Sequence, residues 1–263
     1  MMRQYLDAKK EIPKDCVLLF RMGDFYEVFF DDAVKAAPLL EVALTKRAGV
    51  PMCGVPYHAL ESYLPRLLQA GVKVAIAEQM EDPRFAKGIV KRAVTRIITP
   101  GTIIEGSVLS PKQNNFLASL SFENGIYGIA SLDISTGDFR CTELEDFNDI
   151  QGELQRLKAP ECLIAESLML NLGESKLNQI SSKILWTKLD DWIFSRDNAE
   201  ELLKTHFKVV TLDGYGCKEM TAGISAAGAI LNYAKENLRQ DASHLHRLSV
   251  YKTGDSAIID FVT

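Results

Sequence analysis

The sequence predicts an α/β protein made of two successive domains, and three observations carry that prediction. At 263 residues the chain exceeds what one hydrophobic core ordinarily organises, so two cores are the default. Short apolar strand-like runs alternate with stretches whose apolar residues recur at helical spacing, on both sides of the chain's middle. Between them, Pro100-Gly101, Gly106-Ser107 and Ser110-Pro111 crowd turn-forming residues into one place, the composition of a linker. We therefore expect a first domain over residues 1–107, a linker over 108–113, a second domain over 114–243, and a further segment from 244 to 263.

In chain order, Tyr5 to Glu11 reads as a short polar helix. Residues 15–30 read as one strand bent at Gly23-Asp24, because a Gly-Asp step signals a bend or bulge. Asp31-Asp32 then suits the positive end of a helix dipole, and Ala33, Ala36-Ala37, Leu39-Leu40 and Ala43-Leu44 form the apolar stripe behind it. Leu44–Arg47 and Val50–Val55 flank Ala48-Gly49 as a hairpin. Leu60, Tyr63-Leu64 and Leu67-Leu68 place a helix over 57–70, stopped by Gly71. Strands follow over 72–77 and 89–99, the latter carrying Lys91, Arg92 and Arg96, with a turn at Asp82-Pro83 between them.

The second half opens with three strand patterns, 115–122, 125–134 and 137–142. Their connections, Glu123-Asn124-Gly125 and Ser135-Thr136-Gly137, make a meander. Then come a helix over 147–157, strands over 161–165 and 184–189, and helices over 197–207 and 221–238. His244 and His246 read as solvated residues sharing a strand face, and His58 as a cap or structural contact at a helix start.

Composition is ordinary for a soluble globular chain, with 47% hydrophobic and 25% charged residues. The five cysteines are scattered, with no C-x-x-C pair, as expected of reduced thiols. The longest apolar runs fall short of a membrane span and residues 1–11 have no signal-peptide pattern, so a cytoplasmic location is expected. Charge is divided. Residues 1–107 hold 15 Lys+Arg against 13 Asp+Glu, and residues 108–263 hold 15 against 22, so a polyanion partner should meet the first domain.

The stretch that stands out is Arg21-Met22-Gly23-Asp24-Phe25-Tyr26-Glu27-Val28-Phe29-Phe30. Alternation puts Phe25 and Glu27 on one face of the strand and Tyr26 and Val28 on the other. An aromatic ring and a carboxylate then project together beside a bend.

The run FRMGDFYEVFFDDA, from Phe20 to Ala33, closely resembles the signature of the MutS family of bacterial DNA mismatch-recognition proteins. So, in order, do Leu44-Thr45-Lys46-Arg47, PMCGVPYHALESY from Pro51 to Tyr63, and VAIAEQMEDPRFAKGIVKRAVTRIITPG from Val74 to Gly101. The resemblance implies a mixed-sheet mismatch-recognition domain followed by a ribonuclease-H-like connector domain. The connector match is looser and rests on YGIASLDISTGDF, Tyr127 to Phe139, together with the meander. His246 to Thr263 resembles the opening of the family's largely helical core, its lever domain.

By this resemblance Phe25 would wedge into the base stack from the minor groove and Glu27 would meet the base edge. Lys46, Arg47 and Arg96 would contact phosphates, and Met22, Asp24, Met52 and Tyr57 would line the wedge. The implied partners are duplex DNA with mismatches or small insertion or deletion loops, and MutL through the connector. The implied setting is a bacterial cytoplasm, at the nucleoid, with a homodimeric full-length protein but a monomeric fragment. No catalytic or metal site is expected here. G-x-x-x-x-G-K-S/T is absent from the sequence, so ATP and magnesium belong to the family's C-terminal ATPase domain. Two other classes stand beside this one. The chain could be a protein-interaction module without DNA binding of its own, or a two-metal nuclease built on Asp133, Glu153 and Asp190. For Asp133, a turn-capping role in Ser135-Thr136-Gly137 is the simpler reading.

Overall fold

The computed structural model describes residues 1–81, 88, 90–103, 114–238 and 242–253. The expected linker at 108–113 and the Asp82-Pro83 turn lie outside the described residues. The chain divides into two compact units, Met1–Gln113 with Asn237–Asp241, and Asn114–Glu236 with Ala242–Thr263, each built on its own mixed sheet of six strands. The α/β prediction holds in both.

The first unit runs α1 (Met2–Lys10), β1 (Val17–Met22), β2 (Phe25–Phe29), α2 (Phe30–Leu40), β3 (Thr45–Arg47), β4 (Val50–Pro56), a 3-10 turn at Tyr57–Ala59, α3 (Leu60–Gln69), β5 (Val74–Gln79) and β6 (Arg92–Ile98). Its sheet is ordered β3-β4-β2-β1-β5-β6, parallel only between β1 and β5. One face packs under α2 and α3, through Val17, Leu19, Tyr26, Val28 and Ile76 against Ala33, Ala36, Leu64 and Leu67. The other carries Leu18, Phe20, Phe29, Ala75 and Val94 under Tyr5, Ala8 and Ile12, which belong to α1 and the segment after it. Asp32 fastens this second layer. Its carboxylate accepts from the Leu18 N–H (3.0 Å) and the Tyr5 hydroxyl (3.4 Å) and pairs with Lys9 Nζ at 2.8 Å.

The expected bent strand at 15–30 is instead two antiparallel strands. Met22 pairs directly with Phe25, leaving Gly23-Asp24 as a two-residue hairpin turn. Gly23 at φ +60° occupies the first central position, where a tight hairpin needs a positive φ. The bend is thus a complete reversal, and Phe25 starts a new strand at a hairpin tip. At the other end of β2, Phe30 takes φ +57°, rare for a bulky residue, as the chain leaves the sheet for α2.

The second unit runs β7 (Phe116–Glu123), β8 (Ile126–Asp133), β9 (Asp138–Leu144), α4 (Phe147–Leu157), β10 (Glu161–Ala165), α5 (Glu166–Ile180), β11 (Leu185–Leu189), α6 (Arg196–Phe207), α7 (Ala222–Leu238) and β12 (Leu248–Val250). The meander β7-β8-β9 is antiparallel, β10 and β11 extend it in parallel from β7, and β12 joins β9 in parallel. This is the ribonuclease-H-like expectation in strand order. Helices α4 and α5 fill one face through Ile150, Leu154, Leu168 and Leu177. On the other, α7 comes so close that a Cβ on Gly128 would lie 2.2 Å from the Ala222 backbone. Helix α5 was not expected from the sequence, because Gly173, at φ +72° inside it, interrupts the periodicity.

The two histidines expected on a strand face are not in a strand, since β12 begins only at Leu248. His244 Nε2 instead donates to the Ile134 carbonyl oxygen at 2.9 Å, tying this segment to the end of β8. Residues 254–263 of the segment expected from 244 onward lie outside the described residues.

Candidate nucleic-acid interface

Strand β2 runs from the hairpin tip into the core, and its burial changes along its length. Phe25, the first residue, is 48% exposed, whereas Tyr26, Glu27, Val28 and Phe29 are buried. Facing pairs in the ladder share a side. Phe25 therefore stands with Met22 and Pro56, Glu27 with Phe20 and Gly54, and Phe29 with Met52. Farther in, α1 packs over Phe20 and Phe29. At the tip, an aromatic ring of large area projects into solvent from a tight turn.

Two residues down the same face, Glu27 is 9% exposed. A carboxylate so withdrawn from water requires a cation, and it has one. Nη1 of Arg47, on the edge strand β3, lies 2.7 Å from Oε1 and 2.5 Å from Oε2. The opposite residue, Gly54, puts no side chain beside the carboxylate. Arg47 itself remains about half exposed. Two residues expected to act separately, one on a base and one on a phosphate, are thus joined in an ion pair.

A second guanidinium stands nearby. Arg92, at the start of β6, lies over the Phe20 ring at 5.4 Å and donates to the Arg21 carbonyl oxygen (2.6 Å) and the Val90 carbonyl oxygen (2.7 Å). Burial lowers its pKa, and the field of the Glu27 carboxylate acts in the opposite direction. Arg92 did not stand out in the sequence. The available signal was alternation, since two residues before the core residue Val94 falls on the α1 face.

The structure separates some of the other expected residues. Lys46 alternates with Arg47 and so faces the other side of β3. Arg96 pairs with Ile76 on the far edge strand, whereas Val94 pairs with Ala77. The intervening Thr95 is a β-bulge that places Arg96 and Arg92 on opposite faces. Tyr57 is 42% exposed but lies under the Arg21 guanidinium at 3.5 Å, on the side of the sheet shared by Tyr26. The backbone ties this group to the tip. The Tyr57 N–H donates to the Asp24 carbonyl oxygen (2.9 Å) and Arg21 Nε to the Gly23 carbonyl oxygen (2.5 Å), while the Tyr26 hydroxyl and Arg21 both engage Glu78. Met22 and Met52 are half-buried against the α1 side. Together Phe25, Glu27, Arg47, Met22, Met52 and Arg92 form one continuous face.

The carboxylates considered for metal chemistry are engaged elsewhere. Asp133 accepts from the Ser135 N–H and hydroxyl (2.9 and 2.6 Å) and from the Asn115 N–H (3.3 Å), which is the turn-capping role. Glu153 is bound by Arg156, and Asp190 accepts from the Trp192 indole at 3.4 Å. Among the described residues no group of three or more His, Cys, Asp or Glu side chains is arranged to hold a metal ion. Nor is any described helix long and apolar enough to cross a membrane.

Comparison with known proteins agrees with the motifs. Residues 1–107 match the family model described as MutS domain I, and residues 115–246 match that described as MutS domain II. The chain is 43% identical to the DNA mismatch repair protein MutS of Solibacter usitatus, over 100% of its own length and 30% of that protein's. It is 45% identical to the protein of the same name from Desulforapulum autotrophicum, over 99% of the chain and 30% of the relative. For Methanococcoides burtonii the identity is 41%, over 100% and 30%. The chain spans about 30% of the length of these curated relatives.

Proposed function

Since the chain belongs to the MutS family, we propose that it is the DNA-reading part of a mismatch repair protein. Its first unit would bind mispaired or unpaired bases in duplex DNA through the hairpin tip of β1 and β2. The observation that carries this is Phe25, a half-exposed ring at a tight turn, two residues from a buried carboxylate on the same face. A ring so placed enters a base step from the minor groove. A mispaired base, already poorly stacked, costs less to displace, and the opening kinks the duplex. Glu27 reads the edge of the displaced base by accepting from an N–H that no longer has a Watson–Crick partner. Arg47 and Lys46, on the edge strand β3, supply phosphate contacts, while Met22 and Met52 support the ring and Asp24 and Tyr57 hold the turn.

The second unit serves as connector to the remainder of the protein and as the docking surface for MutL. Its acidic composition, 15 basic against 22 acidic residues over 108–263, suits a protein partner better than a polyanion. ATP and magnesium act in a part of the protein outside this sequence, and the homodimer of the whole protein forms mainly through other parts, leaving this chain a monomer. The test is a titration of one labelled duplex carrying a single mispair against its matched twin, at low salt. The unsubstituted chain should prefer the mispair. Phe25→Ala should remove that preference, a loss of about ten- to a hundredfold in mismatch affinity, with an unchanged melting temperature. An early-melting Phe25→Ala protein that keeps its preference would contradict the reading.

A further inference from the structure

The pairing of Glu27 with Arg47 joins a base contact to a phosphate contact, and the two partners are held very differently. Glu27 lies on β2, inside the sheet and buried, and cannot follow a moving partner. Arg47 closes a three-residue strand at the sheet's edge whose residues are all exposed. Only its Nη1 spans the two carboxylate oxygens. The pair therefore opens from the Arg47 side. Arg92 holds the Arg21 and Val90 carbonyl oxygens with Nε and Nη1 and reaches Glu27 through its field, not through a hydrogen bond, so the ion-pair contact itself belongs to Arg47.

Resting on the reading of Phe25 and Glu27 as the base-facing end, we propose that Arg47 is a specificity-determining residue: it neutralises Glu27 on matched DNA and is released to a phosphate only when a mispaired base takes the carboxylate. On a matched duplex every Watson–Crick N–H is engaged with its partner base. Moving Arg47 to a phosphate would then leave a buried carboxylate without its hydrogen-bonded cation, close to the DNA's own anions, and the pair stays closed. A mispair offers an N–H to Glu27, so the cation is free to neutralise a phosphate. The backbone contact is thereby conditional on the base contact, and discrimination exceeds what the base contact supplies alone.

The experiment is a double-mutant cycle in the whole chain. It compares the unsubstituted protein, Glu27→Gln, Arg47→Gln and the double variant, each against the matched duplex and its mispaired twin, with melting curves for all four. Glu27→Gln should tighten matched binding about tenfold while Arg47 is present, and by less once Arg47 is Gln, when only the repulsion between Glu27 and the DNA is relieved. Simple repulsion between Glu27 and DNA predicts the reverse, a gain at least as large without Arg47, and that result overturns the proposal. A second readout needs no Arg47 variant. The salt slope of the unsubstituted chain should be steeper by about one unit on the mispaired duplex, and equal on both in Glu27→Gln; equal slopes before substitution also overturn it. Failure of the underlying reading looks different. In that case the unsubstituted chain binds neither duplex, or Glu27→Gln leaves the mispaired-to-matched ratio unmoved.

Discussion

Each unit of this protein buries a glutamate against an arginine, and the two pairs are built to opposite ends. In the second unit, Glu153 and Arg156 lie one turn apart on α4 and meet fork to fork, Nε to Oε2 at 2.9 Å and Nη2 to Oε1 at 2.6 Å. The Tyr251 hydroxyl closes the site at 2.5 Å. Every partner is local or packed, and the carboxylate has nothing left to recruit. In the first unit, Glu27 is held by a single nitrogen of Arg47, twenty residues away in sequence on an edge strand, and it lies beside an exposed aromatic ring. Identical residue types and similar burial thus give a structural clamp in one place and an exchangeable contact in the other. What separates them is which partner is free to move.

The largest effect expected lies within β2 itself. Phe29, 1% exposed against Tyr5 at 5.0 Å, is core, and Phe29→Ala should cost about 3–5 kcal/mol of stability. Phe25→Ala, on the same face, should stay within about 0.5 kcal/mol. Thermal melts of the two variants check this, and comparable losses would place Phe25 in the core rather than at an interface.

Next comes Glu153→Gln, which should cost about 1–3 kcal/mol without altering the mispaired-to-matched binding ratio. Burial alone would raise the Glu153 pKa, but the hydrogen bonds from Arg156 and Tyr251 outweigh it and hold the group below its ordinary value. A depressed carboxylate contributes stability that is present above the unfolded pKa, about 4.3 for glutamate, and is lost as the pH falls through the folded value. The gap in melting temperature between the parent and Glu153→Gln should therefore be full near neutrality and close in acid. A gap that persists in acid would mean that the charge is not what holds the site.

Smaller still is the stability change in Glu27→Gln, within about 1 kcal/mol because Arg47 is half exposed and water screens the pair. The smallest effect belongs to Lys46→Ala. Lys46 faces away from Glu27, so its loss should weaken both duplexes equally and lower the salt slope by about one unit. A change in the mispaired-to-matched ratio would bring Lys46 into the same face as Arg47.

Most of the fold was legible because local signals agreed with one another. The helical spacing of α4, the short apolar run of β10 and the Ala48-Gly49 turn each identify an element without tertiary help. Helix α5 was hidden by Gly173, and the β1–β2 hairpin by reading Gly23-Asp24 as a bend when exactly two residues between strands also spell a tight turn. In the site, Phe25 and Glu27 were legible from alternation and motif. Their surroundings were not. The ion pair forms only because β4 lies between β3 and β2 and presents Gly54 where Arg47 crosses to Glu27, the bulge at Thr95 moves Arg96 to the other face, and Arg92 gains its place from packing on Phe20. Each of these depends on contacts between residues far apart in sequence.

The central claim is that Phe25 enters the base stack, and the bend of the duplex reports it most directly. Energy transfer between dyes at the two ends of a short duplex, measured at saturating protein, gives the end-to-end distance. The account predicts a shorter distance on the mispaired duplex with the unsubstituted chain, and the distance of free DNA with bound Phe25→Ala. A bend that survives in Phe25→Ala, or one equal on matched and mispaired DNA, would contradict it.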